Sequence, residues 1–313
     1  MDASDDSSFY LYGMGERPEA LTLGSLVLER YWEPLVARHY THELLSQEAL
    51  QEYAYVSNIS NVIFHGRSRL TPAVGLSGGD IIDLTLAWNK DSERIVVARK
   101  GARIILKDPE EFLVTSVLSN PKAQEKLKLW LSAARSAYVL NFKFARRPKV
   151  WMLTGLYLLE DARTMVSRHN SSKLSAGVSA SLVGAVSSVP VGGSLSLGEG
   201  TSWEMTMELT EQHVWAAQYR LLDARFVKVG KGGADSVKLP LSMGLYRDVL
   251  SVNTVRGAET DEVELELKGE KQAIDESGQD VEEDQDSEEL EAYEKRLEEA
   301  ISVFEKAPSH FLK

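Results

Sequence analysis

The residues able to do covalent chemistry are few and poorly arranged for it. Gly75-Leu76-Ser77-Gly78-Gly79 spells the G-x-S-x-G of a nucleophile elbow, in which a serine sits on a tight strand-to-helix turn. That geometry needs a helix after the serine, whereas Ile81–Trp88 reads as a strand. His39, His42 and Glu43 would share one face of a helix. Their order is not that of a zincin and no third ligand is indicated, so they are expected to be surface histidines. Gly230-Lys231-Gly232-Gly233 lacks the dinucleotide-binding spacing and a following helix, and reads as a turn. The chain has no cysteine, which excludes a disulfide scaffold, a thiolate zinc site and a cysteine nucleophile. No catalytic, cofactor-binding or metal-ligating residue is assigned, no cofactor is expected, and the chain is not expected to be an enzyme.

What remains is the chemistry of surfaces. Arg99, Lys100, Arg103 and Lys107 form one basic cluster, and Lys143, Arg146, Arg147 and Lys149 form another. Attraction to an anionic leaflet is worth about 1 kcal/mol per basic residue near the surface, so four to eight together give useful membrane affinity. The same residues would equally serve as a solvated rim or pair with acidic residues of the chain itself. Nucleic acid fits less well, because the clusters lack interleaved stacking aromatics.

The most unusual segment lies between Lys173 and Glu199, 25 residues without one charge. At the chain's own charged frequency of 26%, six or seven would be expected there. Leu174, Ala176, Val178, Ala180 and Leu182 alternate with serine and glycine. After Val183–Ser188 the parity switches, and Val189, Val191, Leu195 and Leu197 become the apolar set. Alternation resumes in Trp203, Met205, Met207 and Leu209. A tilted strand crosses a bilayer in about 9–11 residues, so this pattern is long enough for a membrane hairpin. A hairpin can cross only within a closed barrel, which forces oligomerisation. A half-buried strand pair in a soluble sheet, or a flexible Ser/Gly-rich loop, would carry the same pattern.

The elements that would position these segments read as α+β. Residues 1–20 look polar and irregular, broken by Gly13, Gly15 and Pro18. Leu21–Leu28 is β-like, and Tyr31–Tyr55 looks mostly helical. Arg94–Arg99 and Ala102–Leu106 read as strands, making Ile81–Leu106 a first candidate hairpin, though a basic one. Asp108-Pro109-Glu110-Glu111 is a strong helix start, and Asn120-Pro121 opens a second helix with Leu127, Trp130, Leu131 and Ala134 on one face. Tyr138, Leu140, Phe142 and Phe144 alternate as a strand would. Val150–Leu158 has the apolar run of a central strand, and Gln212–Val229 reads as a long strand or a strand with a bulge.

Over 313 residues, 43% hydrophobic, the formal charge of −12 is unevenly placed. Residues 256–313 hold 20 acidic and 7 basic residues, net −13; of the totals of 47 and 35 this leaves 27 and 28, net +1, in residues 1–255. Gly257–Ser287 is rich in Glu, Asp, Gln and Gly with no aromatic residue, and reads as a disordered linker. Leu290, Tyr293, Leu297, Ile301 and Phe304 then recur at helical spacing as an apolar stripe. Such a helix needs a partner surface: the body of this chain, a second copy or a foreign protein. The opening Met-Asp-Ala-Ser-Asp-Asp-Ser-Ser has no basic or apolar region of a signal peptide, and no run of 18 apolar residues reads as a membrane helix.

Val150–Ala162 (VWMLTGLYLLEDA), the Ser/Gly-rich segment after it, and His213–Val229 (HVWAAQYRLLDARFVKV) together resemble the fungal gasdermin-like proteins. The resemblance spans roughly residues 1–255 and implies a twisted, mainly antiparallel sheet with flanking helices. It also implies binding to acidic phospholipid membranes, conversion of two regions to membrane hairpins, and assembly into a homo-oligomeric pore that kills the cell. An activating protease would remove a restraining C-terminal segment. On this reading residues 1–255 are the pore-forming domain, 256–286 an acidic disordered linker and 287–313 an autoinhibitory helical segment carried by Leu290, Tyr293, Leu297, Ile301 and Phe304. The protein is expected to be cytoplasmic when inactive and at the cell membrane after activation. The alternative is a soluble α+β interaction protein whose acidic tail recruits a partner.

Overall fold

A computed structural model of the chain describes residues 9–67, 81–86, 94–140, 148–169, 194–196, 201–228, 237–240 and 261–268, together with 295, 297–299, 301 and 302. Among these, twelve strands join in one sheet: β1 (Phe9–Glu16), β2 (Leu26–Leu28), β3 (His39–Tyr40), β4 (Ala54–Arg67), β5 (Ile81–Leu86), β6 (Arg94–Leu106), β7 (Val150–His169), β8 (Ser194–Ser196), β9 (Thr201–Leu209), β10 (His213–Lys228), β11 (Val237–Pro240) and β12 (Asp261–Lys268). The helices are α1 (Gln47–Tyr53), α2 (Pro109–Phe112), which runs into a π-helical turn at Leu113–Val117, and α3 (Pro121–Leu140). The class is α+β and mainly antiparallel, as expected; β5 alone is flanked by parallel neighbours, β1 and β4.

Six strands pair in a closed circuit, β1-β5-β4-β6-β7-β10 and back to β1. Following paired residues round that circuit returns to β7 about ten residues from the start, the stagger of steeply tilted strands. Every member of one apolar cluster comes from these six strands: Phe9 and Leu11, Val62 and Phe64, Leu84, Val96 and Ala98, Tyr157, Leu159 and Ala162, Trp215 and Ala216. This is the filled interior of a small barrel. The opposite faces of β1, β7 and β10 (Tyr10 and Tyr12, Met152 and Leu156, Ala217 and Tyr219) belong to a second, larger core built with the helices. Neighbouring residues of these strands thus serve two cores, a consequence of the two-residue side-chain period, interrupted at Trp215 and Ala216 where the register of β10 shifts.

Left-handed residues re-aim the barrel wall at one level. Asn61 in β4 (φ 51°) and Asp161 in β7 (φ 52°) lie on either side of Arg99 in β6, as the flanking pairs Ser60↔Lys100, Val62↔Ala98, Ala98↔Ala162 and Lys100↔Glu160 fix. Before this level Tyr157 and Leu159 face the interior; beyond it Ala162 does, with the opposite parity. Asn and Asp tolerate this conformation better than other side-chain-bearing residues.

The helix starts are as the sequence reading has them. The Asp108 side chain accepts from the Glu111 amide at 2.9 Å with Pro109 in the first turn, and Asn120 Oδ1 accepts from the Lys122 amide at 3.0 Å. Leu127, Trp130, Leu131 and Ala134 are all buried.

Several expectations are corrected. Residues 9–16 are not irregular but the barrel strand β1, whose Phe9, Tyr10, Leu11 and Tyr12 are buried on both faces and so show no alternation. Gly15 is a close approach: a Cβ there would stand 2.8 Å from His213 Cβ. Tyr31–Tyr55 is turn and irregular chain with the short strand β3, and helical only at Gln47–Tyr53, because its aromatics pack into the core instead. Tyr31 meets Tyr10, Trp151 and Tyr219 with ring centroids 4.8, 4.5 and 5.5 Å away. Tyr138 and Leu140 continue α3 rather than start a strand; Phe142 and Phe144 lie outside the described residues. Ile81–Leu106 is not a hairpin, since β4 lies between β5 and β6. Most consequentially, residues 256–286 are not disordered throughout. Within them β12 pairs with β10 along its whole length, and Leu265 and Leu267 are buried in the larger core. Average composition hides the alternation in Asp-Glu-Val-Glu-Leu-Glu-Leu-Lys, one face acidic and the other aliphatic.

Candidate functional site

The charge-free segment lies between two paired strands. β7 and β9 pair antiparallel from Ala162↔Leu209 to His169↔Thr201, and Ser194–Ser196, near the end of the charge-free run, already pairs with β9 as β8. Arg163 and Glu208 clamp the base of this pair at 2.9 Å. Of the nine apolar positions assigned to a membrane hairpin, Leu195 falls in β8, opposite Trp203. Leu174, Ala176, Val178, Ala180, Leu182, Val189, Val191 and Leu197 lie outside the described residues. No described helix is long and apolar enough to cross a membrane, which leaves strands untested.

The first basic cluster is divided by its surroundings. Arg99 and Lys100 are exposed at the level of the left-handed pair, where the change of facing turns both outward; Lys100 Nζ stands 4.0 Å from Glu160. Arg103 is half-buried with its guanidinium 5.8 Å from the Phe9 ring centre. Lys107 is occupied otherwise. Its Nζ donates to the carbonyls of Gln51 and Glu52 at 2.6 and 2.9 Å, closing the C-terminus of α1, and lies 5.6 Å from the Tyr55 ring. In the second cluster Lys149 is half-buried, and its amide donates to Glu29 Oε1 at 2.8 Å. Lys143, Arg146 and Arg147 lie outside the described residues. The two clusters therefore offer Arg99 and Lys100 as exposed cations, while Lys107 does structural work.

The C-terminal stripe reaches the body. Residues 295, 297–299, 301 and 302 are helical, and Leu297 and Ile301, one turn apart, are 3% and 0% exposed within the core that also holds Leu28 and Tyr31. Lys295, Glu298 and Glu299 on the same stretch are exposed. Beside this contact lies a cleft of about 250 Å³ between the helix and Leu28, Val36, Ala37 and Arg38. Leu290, Tyr293 and Phe304 lie outside the described residues.

His42 is buried rather than at the surface. Tyr40 OH and Ser116 Oγ stand 2.9 and 3.0 Å from its two ring nitrogens; its amide donates to Ser25 Oγ, and its carbonyl accepts from Thr22 Oγ1 at 2.6 Å. Burial pushes its pKa below the usual histidine value, against an opposing pull from Glu43. The imidazole thus lies between two hydroxyls, with the neutral Tyr40 OH where a Ser-His-Asp triad has its carboxylate. The cluster ties the β2 and β3 strands to the π-helical turn. His39 is half-buried, with Nδ1 3.0 Å from the Ala37 carbonyl. Gly24 makes this junction possible: its φ is +81°, and a Cβ there would stand 2.7 Å from the Phe112 ring. Nearby, Tyr12 and Tyr219 share a fully buried 2.7 Å hydroxyl contact, and burial raises both above the usual tyrosine value. No group of three metal-ligating side chains occurs among the described residues.

Fold and site together define an α+β protein with a small closed barrel, a two-strand root carrying a charge-free segment, and a C-terminal helix seated in the main core. No protein-family model matches the chain, and no curated protein matches it in sequence. Among solved structures it is similar to a bacterial gasdermin from Bradyrhizobium tropiciagri, at 12% identity over 71% of this chain and 85% of that one, with a TM-score of 0.25.

Proposed function

We propose that this protein is a gasdermin-like pore former that binds acidic lipid membranes, oligomerises and permeabilises them with β-hairpins, its C-terminal segment restraining it until proteolysis. The observation that carries the reading is the uncharged alternating run of 25 residues strung between two paired strands, β7 and β9. A hairpin rooted this way can lengthen by continuing the ladder already present, with its serines and glycines facing a lumen and its aliphatics facing lipid. The burial of Leu297 and Ile301 supports the restraint. Undocking that helix costs more while it is tethered than after a cut, because cleavage turns an intramolecular contact into a bimolecular one. The protein would be cytoplasmic until activation and membrane-bound afterwards, and the reading assigns it no enzymatic activity.

The test is dye release from vesicles containing phosphatidylserine. The full chain carries a cleavage sequence inserted within residues 269–287, so that cutting frees the helix and leaves β12 in the sheet. Cleaved protein should release dye far faster than uncut protein. Equal, negligible release from both would remove the pore-forming reading and favour an interaction protein.

A further inference from the structure

β12 has a second role that its composition conceals. It is the sole described partner of β10 over Leu221–Lys228 on one side, while on the other side the pairing with β7 stops at Leu222↔Val150. Among the described residues, β11 reaches the sheet only through β12. If β12 left, the last six residues of β10 would have no described strand partner on either side, and Leu222 and Ala224, now 0% and 3% exposed, would lose the cover of Leu265 and Leu267. An open edge of this kind is a template for another strand. Four of the eight residues of β12 are acidic, and its register sets Glu264 between Arg225 of β10 and Lys238 of β11 and Asp261 opposite Lys228, but it also sets Glu266 opposite Asp223, a like-charged pair that weakens the cover.

We infer that β12 is a removable cover, and that the β10 edge beneath it is a self-association surface whose partner is the same edge of a second copy of this chain. The sequence of the edge is its own complement. An antiparallel pair of β10 strands centred on Ala224 sets Asp223 opposite Arg225 twice, Leu222 opposite Phe226 and Leu221 opposite Val227. Opposite charges directly across a ladder are favourable and like charges are not. The one like-charged pairing, Arg220 with Lys228, falls at the two ends, where Arg220 is already held by Glu110 at 2.9 Å. The pairing is isologous, so both copies bury the same patch and the dimer closes. An acidic foreign strand would, like β12, match Arg225 and Lys228 but set an acid opposite Asp223, a repulsion that the self-pairing avoids.

This inference does not depend on the pore-forming reading, and its test uses no membrane. Two forms of the full chain carry a cleavage sequence, one within 257–260 ahead of β12 and one within 269–287 behind it. By sedimentation velocity the first should shift from monomer to dimer after cutting, and the second should stay monomeric. The chain has no cysteine, so Ala224→Cys with Leu265→Cys, directly opposite in register, gives one disulfide tying β12 down. In the first form it should hold the cut protein monomeric until reduced. Arg225→Asp should weaken the dimer at least tenfold, and adding Asp223→Arg should restore it. A cut, reduced first form that stays monomeric overturns the inference, as does a dimer indifferent to Arg225→Asp or equally formed by the second form.

Discussion

Graded truncation of the terminal-helix contact tests the restraint most directly. Ile301 is fully buried and Leu297 is 3% exposed, and both sit in the main core. Removing one methylene, Ile301→Val, should cost about 0.5–1.5 kcal/mol of docking, and Ile301→Ala or Leu297→Ala about 2–5 kcal/mol each. At about 1.4 kcal/mol per tenfold, these changes raise the undocked population from a few-fold for valine to at least 30-fold for either alanine. The two positions are one helical turn apart in the same core, so the double alanine variant should fall short of the product of the singles. Glu299→Ala, on an exposed position of the same helix, should change neither quantity. Deuterium exchange of a peptide covering residues 290–304 reads the undocked fraction, and dye release from phosphatidylserine vesicles reads its consequence. The two should rise together, in the order Glu299→Ala, Ile301→Val, Leu297→Ala. Variants that exchange faster in the helix yet release dye at the wild-type rate would refute the coupling. So would a uniform rise in exchange across the barrel, which would mean that the substitutions loosen the whole fold.

Other perturbations address the hairpin, the basic residues, the barrel bend and the buried histidine. Ala180→Asp or Val191→Asp should abolish dye release without lowering the unfolding midpoint, since a charge facing lipid costs a few kcal/mol near mid-bilayer; undiminished leakage by both would remove this segment from the membrane. Arg146→Glu with Arg147→Glu should weaken sedimentation with anionic vesicles and reduce its salt sensitivity, whereas Lys107→Ala should instead lower stability by about 1 kcal/mol through the lost α1 closure, read by urea unfolding. Asn61→Gly and Asp161→Gly should be tolerated, and valine at either should cost about 1–3 kcal/mol in the same titration, because β-branched residues resist positive φ. His42 has a folded-state pKa below its unfolded value near 6.5, so the unfolded chain binds the extra proton. Its contribution is full above about 6.5 and is lost as pH falls from there towards the folded value, with a slope of at most about 1.4 kcal/mol per pH unit that His42→Gln should remove.

Sequence alone was sufficient wherever local chemistry decides structure. Asp108-Pro109 and Asn120-Pro121 start helices because a side-chain acceptor and a fixed φ act within one turn, whatever surrounds them. Val150–Leu158 and His213–Lys228 were legible as strands because their apolar runs are too long and too β-branched or aromatic for turns, and the alternation in Thr201–Leu209 named its own strand. The stripe through Leu297 and Ile301 called for a partner surface, and the core supplies it. What only tertiary structure decided were the features whose cause is far away in the chain. β1 has no alternation because both of its faces are buried, one inside the barrel and one outside. The aromatics of residues 31–40 leave the helical state because Tyr10, Trp151 and Tyr219 provide a better place for Tyr31 than a helix would. His42 is buried because Tyr40, Ser116, Ser25 and Thr22 satisfy every polar atom it carries, a set no spacing announces. β12 is the sharpest case. Its charge argues for solvent, yet Leu265 and Leu267 fall on one face, and β10 offers them a ladder and a core at once. Composition measures how much apolar surface a segment has, but only a partner strand determines whether that surface can be buried.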